Sequence, residues 1–331
     1  MDHPINATFV RAFAFLVALL LGTSVIGSSV SAEPLPNHVR IGVLTTTPVV
    51  SVEEWLQEGL SRLGYIEGRN LTTERKRADS EESLRSAALA LVQSRVDVIV
   101  AIGTPAARAA LSVTSKVPVV FISGDPVGTG LVASLARPGG NATGVSTLNI
   151  ELIPKRLELL QQVAPRVRRV MLLGNPNSAL HPQVLKHAQM GASALHMQLI
   201  ALDARNVEEL ETALRRVQRS EADGFMPASE LLFFSNKSKI EEAVAKARMP
   251  AVFPWPDDHD PGVLMAYGAS AKEIGLRAAA YVDRILRGAK PADLPIEQIS
   301  KYELVISLRA AKDLGIKVPQ ELLLRADEVI R

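Results

Sequence analysis

The chain has 331 residues, 47% of them hydrophobic and 22% charged, with a formal net charge of +2. That length buries a large core and divides into more than one domain, and the near-neutral balance points to neither nucleic acid nor an anionic membrane surface. There are no cysteines, which excludes disulfides, thiol nucleophiles, thiolate metal sites and a lipid-anchored N-terminal cysteine.

Residues 1–32 are expected to form a cleaved export signal. Arg11 is the only early positive charge, residues 12–21 are an unbroken apolar run, and Val30-Ser31-Ala32 supplies the small residues of a cleavage site ahead of Glu33. The run is shorter than the about 20 residues a membrane span needs, and an uncleaved anchor is the alternative.

Residues 39–44 then read as a first strand. Ser51 and Glu54 are a candidate capping box for a helix striped by Trp55, Leu56, Leu60 and Leu63, which Gly64 can end. Asp79 and Glu82 are expected to cap a second helix, with Leu84, Ala88, Leu91 and Val92 as its stripe. Residues 96–102 are short, apolar and rich in β-branched side chains, as a strand buried on both faces should be. Thr104 and Pro105 follow as N-cap and first residue of a third helix, and residues 117–122 are the next strand. This alternation is that of a doubly wound parallel sheet.

The pattern then recurs roughly 130 residues on, too long a period for a solenoid. Strands are expected at 169–173, 199–202, 222–226 and 249–253, and helices at 181–195, 206–217 (capped by Asn206 and Glu209) and 235–247. Beyond them lie a strand at 262–268, a helix capped by Ser270 and Glu273, a Pro-containing loop at 288–295, a strand at 304–306 and a C-terminal helical stretch. The expected architecture is two Rossmann-like α/β lobes.

Ligands of doubly wound sheets bind at the carboxyl ends of the strands. Small, polar, Gly- and Pro-rich loops follow the strands in both halves: residues 45–48, 103–106 and 124–126 in the first, 174–177, 229–230 and 254–257 in the second. Gly128-Thr129-Gly130-Leu131-Val132-Ala133 fits G-x-G-x-x-A, but its glycines come several residues after the strand and Arg137-Pro138-Gly139-Gly140 interrupts any following helix. A turn, rather than a dinucleotide loop, is expected there. A helix opening at Thr104 would direct free N–H groups at an anion. The basic runs 75–77 and 166–169 read as solvated faces, and Asp257-Asp258-His259-Asp260 as a polar loop rather than a metal site. No H-E-x-x-H, G-x-S-x-G or phosphate-loop pattern occurs, and no catalytic residue is assigned.

The run 124–144 (GDPVGTGLVASLARPGGNATG) resembles a signature of the tryptophan/tyrosine-type ABC transporter substrate-binding proteins. Residues 102–107, 155–160, 264–268, 288–295 and 325–330 are similar to further stretches of that family. The resemblance implies a type I periplasmic-binding fold: two lobes joined by a multi-strand hinge, with residues 33–147 and 263–300 in lobe 1 and 148–262 and 301–331 in lobe 2. It implies a periplasmic protein, acting as a monomer, that captures a small solute and delivers it to an ABC permease in the inner membrane, with no cofactor, metal or nucleic acid. Carried over by position, Thr46, Thr104, Gly124 and Asp125 would touch the ligand from lobe 1, Asn175, Glu230 and Trp255 from lobe 2, and Tyr267 from the hinge side. The family often has Asp at the position of Glu230 and Tyr or Phe at that of Trp255, which leaves the ligand open between an amino acid, aromatic or not, and a related carboxylate. A sensing module for a membrane receptor and an enzyme of the same fold are the alternative readings.

Overall fold

Five parallel strands begin the chain's first half: β1 (Val39–Thr45), β2 (Leu71–Arg77), β3 (Val98–Ile102), β4 (Val119–Ser123) and β5 (Ala142–Ser146), in spatial order β5-β4-β3-β1-β2. The computed structural model describes residues 38–46, 49–78, 80–147, 149–257 and 260–331. The expected signal segment and Thr47, Pro48, Asp79, Asp258 and His259 lie outside them. Strand period sorts the core onto two faces. Val98, Val100 and Ile102 join one apolar cluster, and Ile99 and Ala101 join the other. The first cluster is covered by α1 (Val50–Arg62) and the second by α2 (Glu81–Gln93) and α3 (Thr104–Val113).

The starts of α1 and α2 differ from expectation. α1 begins at Val50 with no side-chain cap, so Ser51 lies inside the first turn rather than before it. α2 is capped one residue later than expected: Ser83 N donates to Ser80 Oγ (3.2 Å) and Ser80 N to Ser83 Oγ (3.1 Å). The strand β2 carries no apolar pattern that would predict it. It is a polar edge strand, and its Arg75 pairs with Glu53 of α1 at 3.3 Å.

The second half repeats the plan with β6 (Arg169–Gly174), β7 (Gln198–Asp203), β8 (Gly224–Pro227) and β9 (Val252–Phe253). β6 pairs in parallel with β7 and β8, and a parallel bridge between Phe225 and Ala251 brings β9 alongside. Its helices are α4 (Ile153–Val163), α5 (His181–Ala194), α6 (Val207–Leu214), α7 (Leu231–Ser235) and α8 (Lys237–Lys246). The two halves share a detail. Asp97 Oδ2 accepts from Arg40 N (2.7 Å) and Asp223 Oδ2 from Arg169 N (3.0 Å), so each lobe ties the start of its first strand to the aspartate ahead of its third.

The C-terminal elements are β10 (Met265–Ala269), α9 (Ala271–Leu286), β11 (Glu297–Gln298), β12 (Tyr302–Ser307), α10 (Leu308–Asp313), α11 (Gln320–Arg325) and β13 (Glu328–Ile330). Residues 263–300 were expected wholly in lobe 1. Instead β10 pairs with β9 and, antiparallel, with β12, extending the second sheet. The rest of the stretch lies in lobe 1: α9 contributes Ile274, Ala278 and Val282 to the first-lobe core, Ile296 and Ile299 join it, and β11 pairs with β5. The reason is that β10 supplies backbone partners to an edge of the second sheet before the chain leaves it. The chain thus passes between the sheets after β5, after β10 and after β11.

Arg156 of α4 ties two of these passages together. It is fully buried; its Nε donates to Tyr267 O (2.7 Å), and its Nη1 and Nη2 donate to Asn149 O (3.1 Å) and Oδ1 (2.9 Å). Burial lowers its guanidinium to about 9. Backbone and amide oxygens, rather than a carboxylate, receive the charge.

Candidate functional site

Strand order 2-1-3-4 places a topological switch point between β1 and β3, where the crossovers leave in opposite directions and a crevice opens at the carboxyl ends. The loops there hold Thr46 and Gly103-Thr104. The second sheet, ordered β7-β6-β8, has its own switch point between β6 and β8, flanked by Asn175 and Glu230. A cavity of about 1070 Å³ is lined from both sides by these loops and by Thr147, Asn149 and Ala269 of the passages between lobes. Half of the residues lining a smaller cavity of about 470 Å³ are carboxylates: Glu54, Asp257, Glu303, Asp327 and Glu328.

On the lobe 1 wall, Thr46, Thr104 and Gly124 line the large cavity. Thr104 is not the N-cap that its sequence position suggested. α3 starts at Thr104 itself, preceded by Gly103 at φ +96°, a left-handed conformation that carries the chain from strand to helix without a side-chain cap. The Thr104 hydroxyl instead meets Ser123 Oγ at 2.9 Å, so two hydroxyls stand together beside the uncapped first turn. That turn has Pro105 and unpaired N–H groups, a favourable setting for an anion.

On the lobe 2 wall, Asn175, Glu230 and Trp255 line the same cavity. Glu230 precedes α7, and burial pushes its carboxyl up to about 7, with a hydrogen bond from Ser178 pulling the other way. The Trp255 ring sits edge-on to Phe234, with centroids 5.5 Å apart at 70°, and near Phe253 at 6.1 Å. Tilted arrangements of this kind are favourable between aromatic rings and hold the Trp255 ring in one orientation.

Two expected contacts are placed elsewhere. The Asp125 carboxylate turns into its own loop, where Oδ1 accepts from Gly128 N at 2.7 Å and its carbonyl oxygen accepts from Thr129 Oγ1 at 2.6 Å. Asp-Pro followed by glycines makes a turn that the aspartate caps, and among the described residues no helix follows β4 before β5. Tyr267 lies on β10 with its ring 6.2 Å from that of Tyr302, packed against the second-lobe core rather than lining the cavity. The loop after Trp255 is likewise engaged in backbone contacts: Asp257 Oδ2 accepts from Ala271 N (2.7 Å) and Asp260 Oδ1 from Gly262 N (2.6 Å).

Other lining residues carry no motif. Ser123 is a single hydroxyl at the end of β4 and Ser178 one in a loop, and Arg108 projects from α3 to donate to Thr129 O at 3.1 Å. Leu231 and Phe234 are reachable from sequence only through their three-residue spacing directly after Glu230.

A sequence model of the family described as ABC transporter substrate binding protein matches residues 46–330. A tyrosine-binding protein of Clostridioides difficile (strain R20291) is 23% identical over 323 residues, covering 93% of each chain. Among solved structures, a conserved domain protein of Vibrio cholerae O1 biovar eltor is 27% identical with a TM-score of 0.82, over 88% of this chain and 99% of that one. A domain from Streptococcus pneumoniae solved in complex with L-Trp is 24% identical with the same TM-score of 0.82, over 88% and 100%. The expected architecture, two α/β lobes of the type I periplasmic-binding fold, is the one observed.

Proposed function

Because the chain belongs to the ABC transporter substrate-binding protein family, we propose that it captures an amino acid with an aromatic side chain between its lobes and presents it to an ABC permease. The observation that carries this reading is the division of one cleft into three chemistries. The uncapped start of α3, with the Thr104 and Ser123 hydroxyls, suits an α-carboxylate. Glu230 on the opposite wall suits an ammonium, and Trp255 with Phe234 suits a ring. The tyrosine-binding relative and the L-Trp complex of a structural neighbour support the same class of ligand. Closure is hinge motion about the three passages between sheets, driven by tighter binding to the closed form. The apolar run and small-residue site in residues 12–32 support export to the periplasm, where the protein acts as a monomer.

A thermal-shift screen of the exported protein, unfolded and refolded to remove carried ligand, tests the reading. A ligand at 100 times its Kd adds about 2.7 kcal/mol, a shift of several degrees. Shifts with L-tryptophan or L-tyrosine support it. Shifts only with acids lacking an amine discard Glu230 as the ammonium partner.

A further inference from the structure

α7 is five residues long and stands on the boundary between the lobes. Its side chains divide by face. Phe233 is fully buried in the second-lobe core, and Leu232 packs on that core. Leu231 and Phe234, three residues apart and therefore on one side of the turn, pack on the first-lobe core. The approach is close: a Cβ built on Gly103 would lie 2.6 Å from Leu231 Cδ1. A second contact has the same form. A Cβ built on Gly124 would lie 3.2 Å from Cδ1 of Leu180, the residue ahead of α5. All four residues also line the large cavity.

We propose that Leu180 and Leu231 are specificity-determining residues, which close the apolar side of the cleft over the ligand by seating on Gly124 and Gly103. Each seat is a backbone without a side chain, so the leucine reaches main-chain distance; a larger residue in the seat holds the lobes apart. The apolar surface of Leu180, Leu231 and Phe234 leaves water on this side only when the lobes meet, so burial adds to the ligand's own contacts in stabilising the closed form. A ligand side chain that is flat and apolar fits beside the seated leucines. A branched or charged one displaces Leu231 from Gly103 and forfeits the contact. The ligand class rests on the function proposed above, whereas the contact itself does not.

The chain has no cysteine, so spin labels on Glu82→Cys of α2 and Glu208→Cys of α6, both exposed, report the separation of the lobes without interference. Distances are measured with and without L-tryptophan in the parent and in Leu180→Ala, Leu231→Ala and Gly124→Val variants. Each variant is expected to shift the distribution to longer separations. Leu231→Ala should also raise the calorimetric Kd for L-tryptophan about tenfold, as loss of a half-buried leucine's apolar contact does. Adding Leu180→Ala to Gly124→Val should recover part of the closed population, because the shortened side chain makes room for the filled seat; a misfolded variant would show no such recovery. Distributions matching the parent in every variant, in both conditions, overturn the latch. A parent that ignores L-tryptophan while the variants still open overturns the ligand class and leaves the latch standing.

Discussion

Replacing Glu230 by Gln isolates the cost of holding a carboxylate in the cleft. Burial pushes Glu230 from its ordinary 4.5 up to about 7. Between those values the folded protein keeps a proton that the unfolded chain has released, so stability falls as pH rises through this window. Below 4.5 both states are protonated, and above 7 the penalty is complete. At 1.36 kcal/mol per pH unit of displacement the full penalty is about 3 kcal/mol. Glutamine fills nearly the same volume and never ionises. The ligand-free Glu230→Gln variant should therefore match the parent near pH 4 and become progressively more stable than it up to pH 7, by about 3 kcal/mol, or roughly 6 °C in Tm. Melting curves of both proteins from pH 4 to 8.5, without ligand, measure the difference directly. The other carboxylates titrate equally in the two proteins and cancel. A Tm difference that stays constant across the window would refute the burial argument and remove Glu230 from the cleft wall.

Three further outcomes follow from named contacts. Trp255→Ala should weaken binding of an aromatic amino acid by more than about 1 kcal/mol, read by calorimetry, since it removes an aromatic anchor from the cleft wall; unchanged affinity would place the ring elsewhere. Asp125→Ala should cost about 1 kcal/mol of stability by denaturant titration and leave affinity within about twofold, because its carboxylate caps its own turn; a large loss of affinity would return it to the site. Arg156→Ala leaves the oxygens of Tyr267 and Asn149 buried without a donor and should cost about 3 kcal/mol or more, with Arg156→Lys recovering only part. Full stability of the alanine variant would contradict the role given to that residue between the lobe passages.

Much of the sheet framework is legible in the amino-acid sequence. Residues 98–102 and 170–173 are buried on both faces, and that demand writes itself as an unbroken apolar run. The loop positions after β1, β3, β8 and β9 locate Thr46, Thr104, Glu230 and Trp255 on the cavity wall. What escapes has definite causes. β2 carries Glu74, Arg75, Lys76 and Arg77 because only one edge of it is covered, so it lacks the apolar signature. The membership of β10 is decided by backbone pairing with β9, which adjacency in sequence does not encode. Asp125 and Tyr267 sit in segments whose sequence does spell a turn and a strand, but the direction of a side chain depends on turn geometry and sheet neighbours. Leu180 and Leu231 look like ordinary core residues, and only the glycines opposite them reveal a contact across the cleft.

The most direct test of the account is calorimetry of the refolded protein with L-tryptophan and L-tyrosine, beside tryptamine, which lacks the carboxylate, and indole-3-propionate, which lacks the amine. Binding of at least one amino acid, with each truncated analogue weaker by about tenfold or more, is the result predicted for a cleft that pairs the α3 start with Glu230. No heat with any aromatic amino acid, or equal affinity for indole-3-propionate and L-tryptophan, would contradict it.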